Sequence, residues 1–183
     1  MRATDGTASR GSPRLDRAGF ERLYAAHYEL IMRYALRRAP SPDDAADVVA
    51  ETFLVAWRRQ DQAPDGSSAR LWLYGIARNV LANQARGARR RERLNARLRA
   101  GVAKNGHDAR PASAIAGTRI AIARAFGRLR ADDRDLLTLV AAEGLSAGEI
   151  ARVLDCTTTT ARVRLHRARA RFARELAAEG LPV

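Results

Sequence analysis

Cysteine and lysine are almost absent from this 183-residue sequence, occurring once each as Cys156 and Lys104. A single cysteine excludes any disulfide within the chain, which suits a reducing cytoplasm, the expected location. Long apolar runs are missing too. Nothing approaches the roughly 20 residues that a membrane-crossing helix needs, so no membrane insertion is expected. The first 15 residues carry arginines but no apolar core of the kind a secretion signal has, and they read as a disordered lead-in. Also lacking are a glycine-rich phosphate loop, a Cys and His cluster at metal-ligand spacing, and a Ser, His and Asp set in a recognisable motif. The three histidines, His27, His107 and His166, are scattered. Paired acids at Asp43 and Asp44, and at Asp132 and Asp133, sit where helix N-termini favour negative charge, so capping accounts for them without catalysis. No enzyme activity, cofactor or metal is therefore expected.

Acid is the remaining shortage. Against 33 lysines and arginines stand 20 aspartates and glutamates, giving a formal charge of +13 and an isoelectric point near 11.4. Such a chain suits a polyanionic partner. The arginine bias has two sources open to it, a GC-rich genome and selection for forked phosphate contacts, so where the arginines sit is more informative than how many there are. With 46% hydrophobic residues the sequence can fill one ordinary core or two small ones.

The most informative stretch is Ser146 to Arg174, which reads as two short helices joined by a tight turn. Ser146 and Glu149 form a capping box at the first start, and Ile150, Val153 and Leu154 give that helix an apolar side. Asp155, Cys156 and Thr157 to Thr160 supply turn and N-cap oxygens. Wound at about 3.6 residues per turn, Thr158 to Arg174 places Ala161, Leu165, Ala168 and Phe172 on one stripe. Thr159, Val163, His166, Arg167, Ala170 and Arg174 fall opposite, with Arg162, Arg164, Arg169 and Arg171 on the flanks. Six arginines and no acid lie between Arg162 and Arg174. This is a helix-turn-helix signal. On the residues alone the second helix is either a reader of a DNA major groove, with arginines on phosphates, or a solvated basic helix on an ordinary bundle.

Taken from the start, the chain predicts a helix capped by Asp16 and running to about Ala39, with Phe20, Leu23, Tyr24, Ile31 and Ala35 on its apolar side. Pro40-Ser41-Pro42 stops it and starts another, capped by Ser41 and reaching about Arg59, which buries Val48, Val49, Thr52, Phe53 and Ala56. Asp47 and Glu51 share a face of this helix four residues apart. They are either a solvated acidic face or a docking patch for a basic partner. Gln60 to Ser68 is a loop. A third helix runs from about Ala69 to beyond Arg90, with Leu71, Trp72, Ile76 and Val80 inward and Trp72 expected to be buried. Arg78, Asn79, Asn83 and Arg86 stand on its polar sides. Residues 100–117 hold Gly101, Gly106, Pro111 and Gly117 without periodicity and form a flexible linker, able to span on the order of 60 Å. Beyond it, a helix from Thr118 to Leu129 turns Ile122, Phe126 and Leu129 inward. Another, capped by Asp132 or Asp133, runs through Leu136, Leu137, Leu139 and Val140 to Gly144. The expected fold is all-α, with two small helical domains. The first, over 16–99, has three helices; the second, over 118–176, has four and ends in the helix-turn-helix; 177–183 form a tail.

In this order the blocks resemble the sigma-70 family of RNA polymerase sigma factors, in its compact extracytoplasmic-function (ECF) group. FERLYAAHYELIMRYALRR, DAADVVAETFLVAW and WLYGIARNVLANQARGARRR are similar to successive helices of the family's region two. AFGRLRADDRDLLTLVAAEGLSAGEIARVLDCTTTTARVRLHRARARF is similar to region four and its helix-turn-helix. The resemblance implies a promoter-specificity factor whose partners are core RNA polymerase, promoter DNA and, in some members, an anti-sigma factor. It implies that Asp47 and Glu51 meet a coiled coil of the polymerase's largest subunit. The loop Gln60 to Ser68, with Arg78, Asn79, Asn83 and Arg86, would engage the minus-ten element and capture an unstacked base of the nontemplate strand. Such capture shifts the melting equilibrium without nucleotide hydrolysis. Arg162, Val163, His166 and Arg167 would read the minus-thirty-five element, while Arg164 and the turn threonines, Thr159 among them, hold phosphates. Ala50, where the family often has glutamine, Asn83, where aspartate is frequent, the threonine run and Ala161 depart from the family pattern and bear on base preference.

Two other readings of the residues are an autonomous helix-turn-helix regulator that binds duplex operator DNA, and a basic architectural protein whose binding ignores sequence and weakens steeply with salt. Cys156 reads as a small buried turn residue, with a redox sensor as the alternative.

Overall fold

Asp16 starts the first helix, accepting a hydrogen bond from the Gly19 amide at 2.7 Å, and α1 follows as Arg17–Leu36. The computed structural model describes residues 15–98 and 114–182; residues 1–14 of the expected lead-in and 100–113 of the linker expected over 100–117 lie outside the described residues. Ser41 caps α2, Pro42–Arg58, accepting from the Asp44 amide at 3.1 Å and donating to the Asp44 carboxylate at 2.6 Å. A short 3-10 turn at Gln60–Gln62 opens the expected loop, and α3 spans Ser68–Leu98.

The first core is built where these three helices meet. α2 buries Val48, Val49, Thr52, Phe53 and Ala56, as its periodicity predicts, and the buried Thr52 hydroxyl donates back to the Val48 carbonyl at 2.6 Å. α1 contributes Leu23, Ile31, Tyr34 and Ala35. α3 contributes Leu71, Leu73, Tyr74, Ile76, Ala77 and Val80. The Tyr34 and Tyr74 rings pack at a tilt with centroids 5.0 Å apart, and the Arg38 guanidinium lies 4.2 Å from the Tyr34 ring centre. One aromatic expectation needs correcting: Trp72 is half-buried, and Leu73, Tyr74 and Tyr34 are the large side chains buried between the helices instead. After Val80 no residue of α3 up to Arg91 is buried, and the chain divides into two compact units there, between Leu81 and Ala82.

In the second unit α4 begins at Ala114 rather than Thr118 and ends at Arg128. α5 is Ala131–Ala141, and its N-cap is Arg130, not an aspartate. Asp132 and Asp133 fall inside the first turn, where Asp133 is held by Arg171 rather than by the helix's own amides. Gly144, at φ 66°, provides the left-handed step that closes this helix, and Leu145 reaches back to the Leu139 carbonyl at 3.0 Å. α6, Ala147–Val153, has the full capping box of Ser146 and Glu149. α7 runs Thr158–Ala178, past the expected end at Arg174, because Glu175 and Glu179 pair with Arg128 of α4. Leu129, Leu136, Leu139, Ile150, Leu165 and three small α7 and α4 residues, Ala125, Ala161 and Ala168, make the second core. Ile122, expected inward, is exposed. Among the described residues the regular elements are these seven α-helices and the 3-10 turn.

Candidate nucleic-acid interface

The helix-turn-helix is set by two local devices. The Cys156 amide donates to the Ala151 carbonyl at 2.9 Å while Asp155 takes φ 49°, a left-handed step that aspartate tolerates better than most residues and that ends α6. Thr157 then caps α7, its hydroxyl accepting from the Thr160 amide at 3.2 Å and lying 2.8 Å from the Thr160 hydroxyl. Cys156 itself is half-buried in that turn.

α7 is seated by Ala161, Leu165 and Ala168, all buried. Thr159, Arg162, Val163, Arg164, His166 and Arg167 are all exposed, on the side away from that seat and on its flanks. Val163 stands out among them, 43% exposed in a row of cations. Four acids of this unit are committed elsewhere. Glu149 is in the capping box, Asp133 holds Arg171, and Glu175 and Glu179 hold Arg128. Among the described residues Arg162, Arg164 and Arg167 have no acidic partner. The N-terminal half of α7 is thus a rigidly presented cationic surface with one apolar contact, able to meet phosphates and a base-pair edge together.

On α3 the spacing of Asn79, Asn83 and Arg86 puts them on one side of the helix, and all three are exposed. Arg86 donates to the Asn83 side-chain carbonyl. Arg78 lies to the side of this row and is half-buried.

Asp47 and Glu51 are exposed on α2, opposite its buried stripe. Sequence reasoning missed what stands beside them. Leu54 and Trp57 on α2, and Tyr24 on α1, are 41%, 39% and 42% exposed. Tyr24 and Trp57 belong to an aromatic cluster in which Tyr24 lies 4.6 Å from Phe53 and Phe20 lies 4.9 Å from Trp57, ring centre to ring centre. The signal for Leu54 was present: seven residues after Asp47, it falls on the acidic face rather than the buried stripe. The acidic face of α2 therefore also carries an exposed apolar side chain, Leu54, which is more than a solvated charged face requires.

The sigma-70 region 2 family model matches residues 23–91, and the sigma-70 region 4 family model matches residues 119–172. The ECF RNA polymerase sigma factor SigL of Mycobacterium tuberculosis is 31% identical over 157 residues, covering 85% of this chain and 88% of the relative. The RNA polymerase sigma factor CnrH of Cupriavidus metallidurans is 29% identical over 169 residues, covering 87% of each chain. Among solved structures, the sigma factor RpoE of Bartonella quintana, determined in complex with the anti-sigma factor NepR, is similar at a TM-score of 0.59 and 26% identity, covering 86% of this chain and 96% of that one.

Proposed function

This chain belongs to the sigma-70 family, in its ECF group, as a promoter-specificity factor for transcription initiation, and on that premise we propose how its parts divide the work. The domain over 16–99 docks on core RNA polymerase through Asp47 and Glu51, with Leu54, Trp57 and Tyr24 supplying apolar area beside the charges. The same domain engages the minus-ten element through the loop at Gln60 to Ser68 and through Arg78, Asn79, Asn83 and Arg86. Binding the single strand better than the duplex there draws the melting equilibrium open. The domain over 118–176 reads the minus-thirty-five element with Arg162, Val163, His166 and Arg167, while Arg164 and Thr159 hold phosphates beside them. An anti-sigma factor, such as the one RpoE was solved with, is the regulatory partner that this reading admits.

The observation that carries the proposal is the sorting of charge between the two matched regions. A chain of formal charge +13 keeps Asp47 and Glu51 together on the outward face of α2, and presents unpaired arginines on the N-terminal half of α7. One face suits a basic protein, the other suits DNA. The test is transcription by core polymerase with the full chain on templates in which the upstream and downstream elements are scrambled separately. Loss with either change supports the division of labour. Tight, specific binding to duplex DNA without polymerase would instead favour an autonomous regulator.

A further inference from the structure

Arg171 belongs by sequence to the arginine run of α7, yet the fold turns it inward. Its Nη1 donates to both carboxylate oxygens of Asp133, each at 2.8 Å. Asp133 is only 5% exposed, the one charged residue among the described residues that is buried. The Arg171 side chain stays 37% exposed, so the pair is buried on its acidic side only; an ion pair withdrawn from water in this way adds little net stability compared with apolar side chains of the same shape, and its best-attested use is to select one packing among several. Here there is something to select. The stripe that seats α7 is Ala161, Leu165 and Ala168, and two alanines offer little relief against rotation of the helix about its axis or sliding along it. The Arg128 pairs with Glu175 and Glu179 and the Phe126–Phe172 contact tie the C-terminal part of α7 to α4; the Asp133 pair adds a directional contact to the first turn of α5, one helical turn from Arg167.

We infer that Asp133 is a positioning residue for upstream-element recognition, fixing through Arg171 the rotation of α7 and hence the aim of Val163, His166 and Arg167. The inference rests on the reading of α7 as the element that reads minus-thirty-five sequence. A rotation of about 10° moves a side-chain tip about 5 to 6 Å from the axis by about 1 Å. Base-edge hydrogen bonds have a narrower distance range than that. Phosphate contacts by long arginines adapt to such a shift. Loosening the clamp therefore costs discrimination more than general affinity.

The experiment uses holoenzyme assembled from core polymerase and the full chain, competed between two promoters identical except for an intact or a scrambled upstream element. Thermal melting of the free protein is followed alongside. Asp133→Asn and Arg171→Gln are each expected to lower the preference for the intact element about tenfold, comparable to losing one base contact. Output from the scrambled template should stay within about twofold, and the double variant should lose no more than either single one. Arg171→Met, which keeps the apolar stem, gives the same readout if Asp133→Asn melts early. Unchanged preference, equal loss on both templates, or additive losses would overturn the clamp. A wild-type protein with no preference between the templates is a separate failure, since it removes the assignment of α7 itself and the inference with it.

Discussion

Reversing the acidic face of α2 separates docking from folding more cleanly than any other change. Asp47 and Glu51 are both exposed, and neither has an ion pair among the described residues. Asp47 sits beyond the first turn of a helix that begins at Pro42, so it draws little from the helix dipole. Converting both to lysine replaces one like-charged pair four residues apart by another, and the stability change should stay within about 0.5 kcal/mol. Binding is different. An exposed charge pair contributes roughly 0.2 to 1 kcal/mol, and reversal both removes the attraction and adds repulsion. Two reversals should therefore weaken association with core polymerase by about 1 to 3 kcal/mol, roughly 5- to 150-fold. The loss should shrink as salt rises, since surface charges are screened. Fluorescence titration of core polymerase measures the affinity, and thermal melting of the double variant measures the fold. Affinity within twofold of wild type, or a loss of helix that accounts for the binding defect, would refute the docking face.

Three further outcomes follow from particular contacts. Arg167→Ala should reduce recognition of the upstream element by about 1 to 3 kcal/mol if it is bidentate to a guanine, whereas equal weakening across all upstream sequences in a competition assay would make it a phosphate contact. Thr157→Ala removes the oxygen that caps α7 and should cost about 1 kcal/mol of stability, read as a lowered melting temperature; an unchanged melt would mean that another group takes over the Thr160 amide. His27 is held below the usual imidazole value by burial first and by Arg70 second. Because its proton binds the unfolded chain more readily, stability is full above about pH 6.5 and falls as pH drops below it toward the folded value. A melt series across that range should show the slope in wild type and lose it in His27→Gln.

Four helix starts were legible because they are local. Asp16, Ser41, Ser146 and Thr157 each satisfy free amides a few residues away, and that chemistry is written in adjacent residues. The exposed side of α7 was legible for the same reason, since one periodicity separates Ala161, Leu165 and Ala168 from Val163, His166 and Arg167. What failed to show were pairings between elements. Asp133 looked like a cap because its partner, Arg171, lies 38 residues later and itself looked like part of a solvated run. Tyr34 and Tyr74 displaced Trp72 from the core because the choice among aromatics depends on how α1 and α3 meet, which no single helix records. The cluster that brings Tyr24 of α1 against Phe53 of α2 was hidden likewise, being shared between two helices.

The central claim, that the chain gives core polymerase a promoter preference by gripping DNA at two places, is tested most directly by mapping start sites. Core polymerase and the full chain would transcribe a library of genomic fragments. Transcripts should depend on the added chain and start downstream of two short shared elements at a fixed separation. Starts that share no such elements, or no transcripts at all from a chain that binds duplex DNA tightly and specifically by itself, would contradict it.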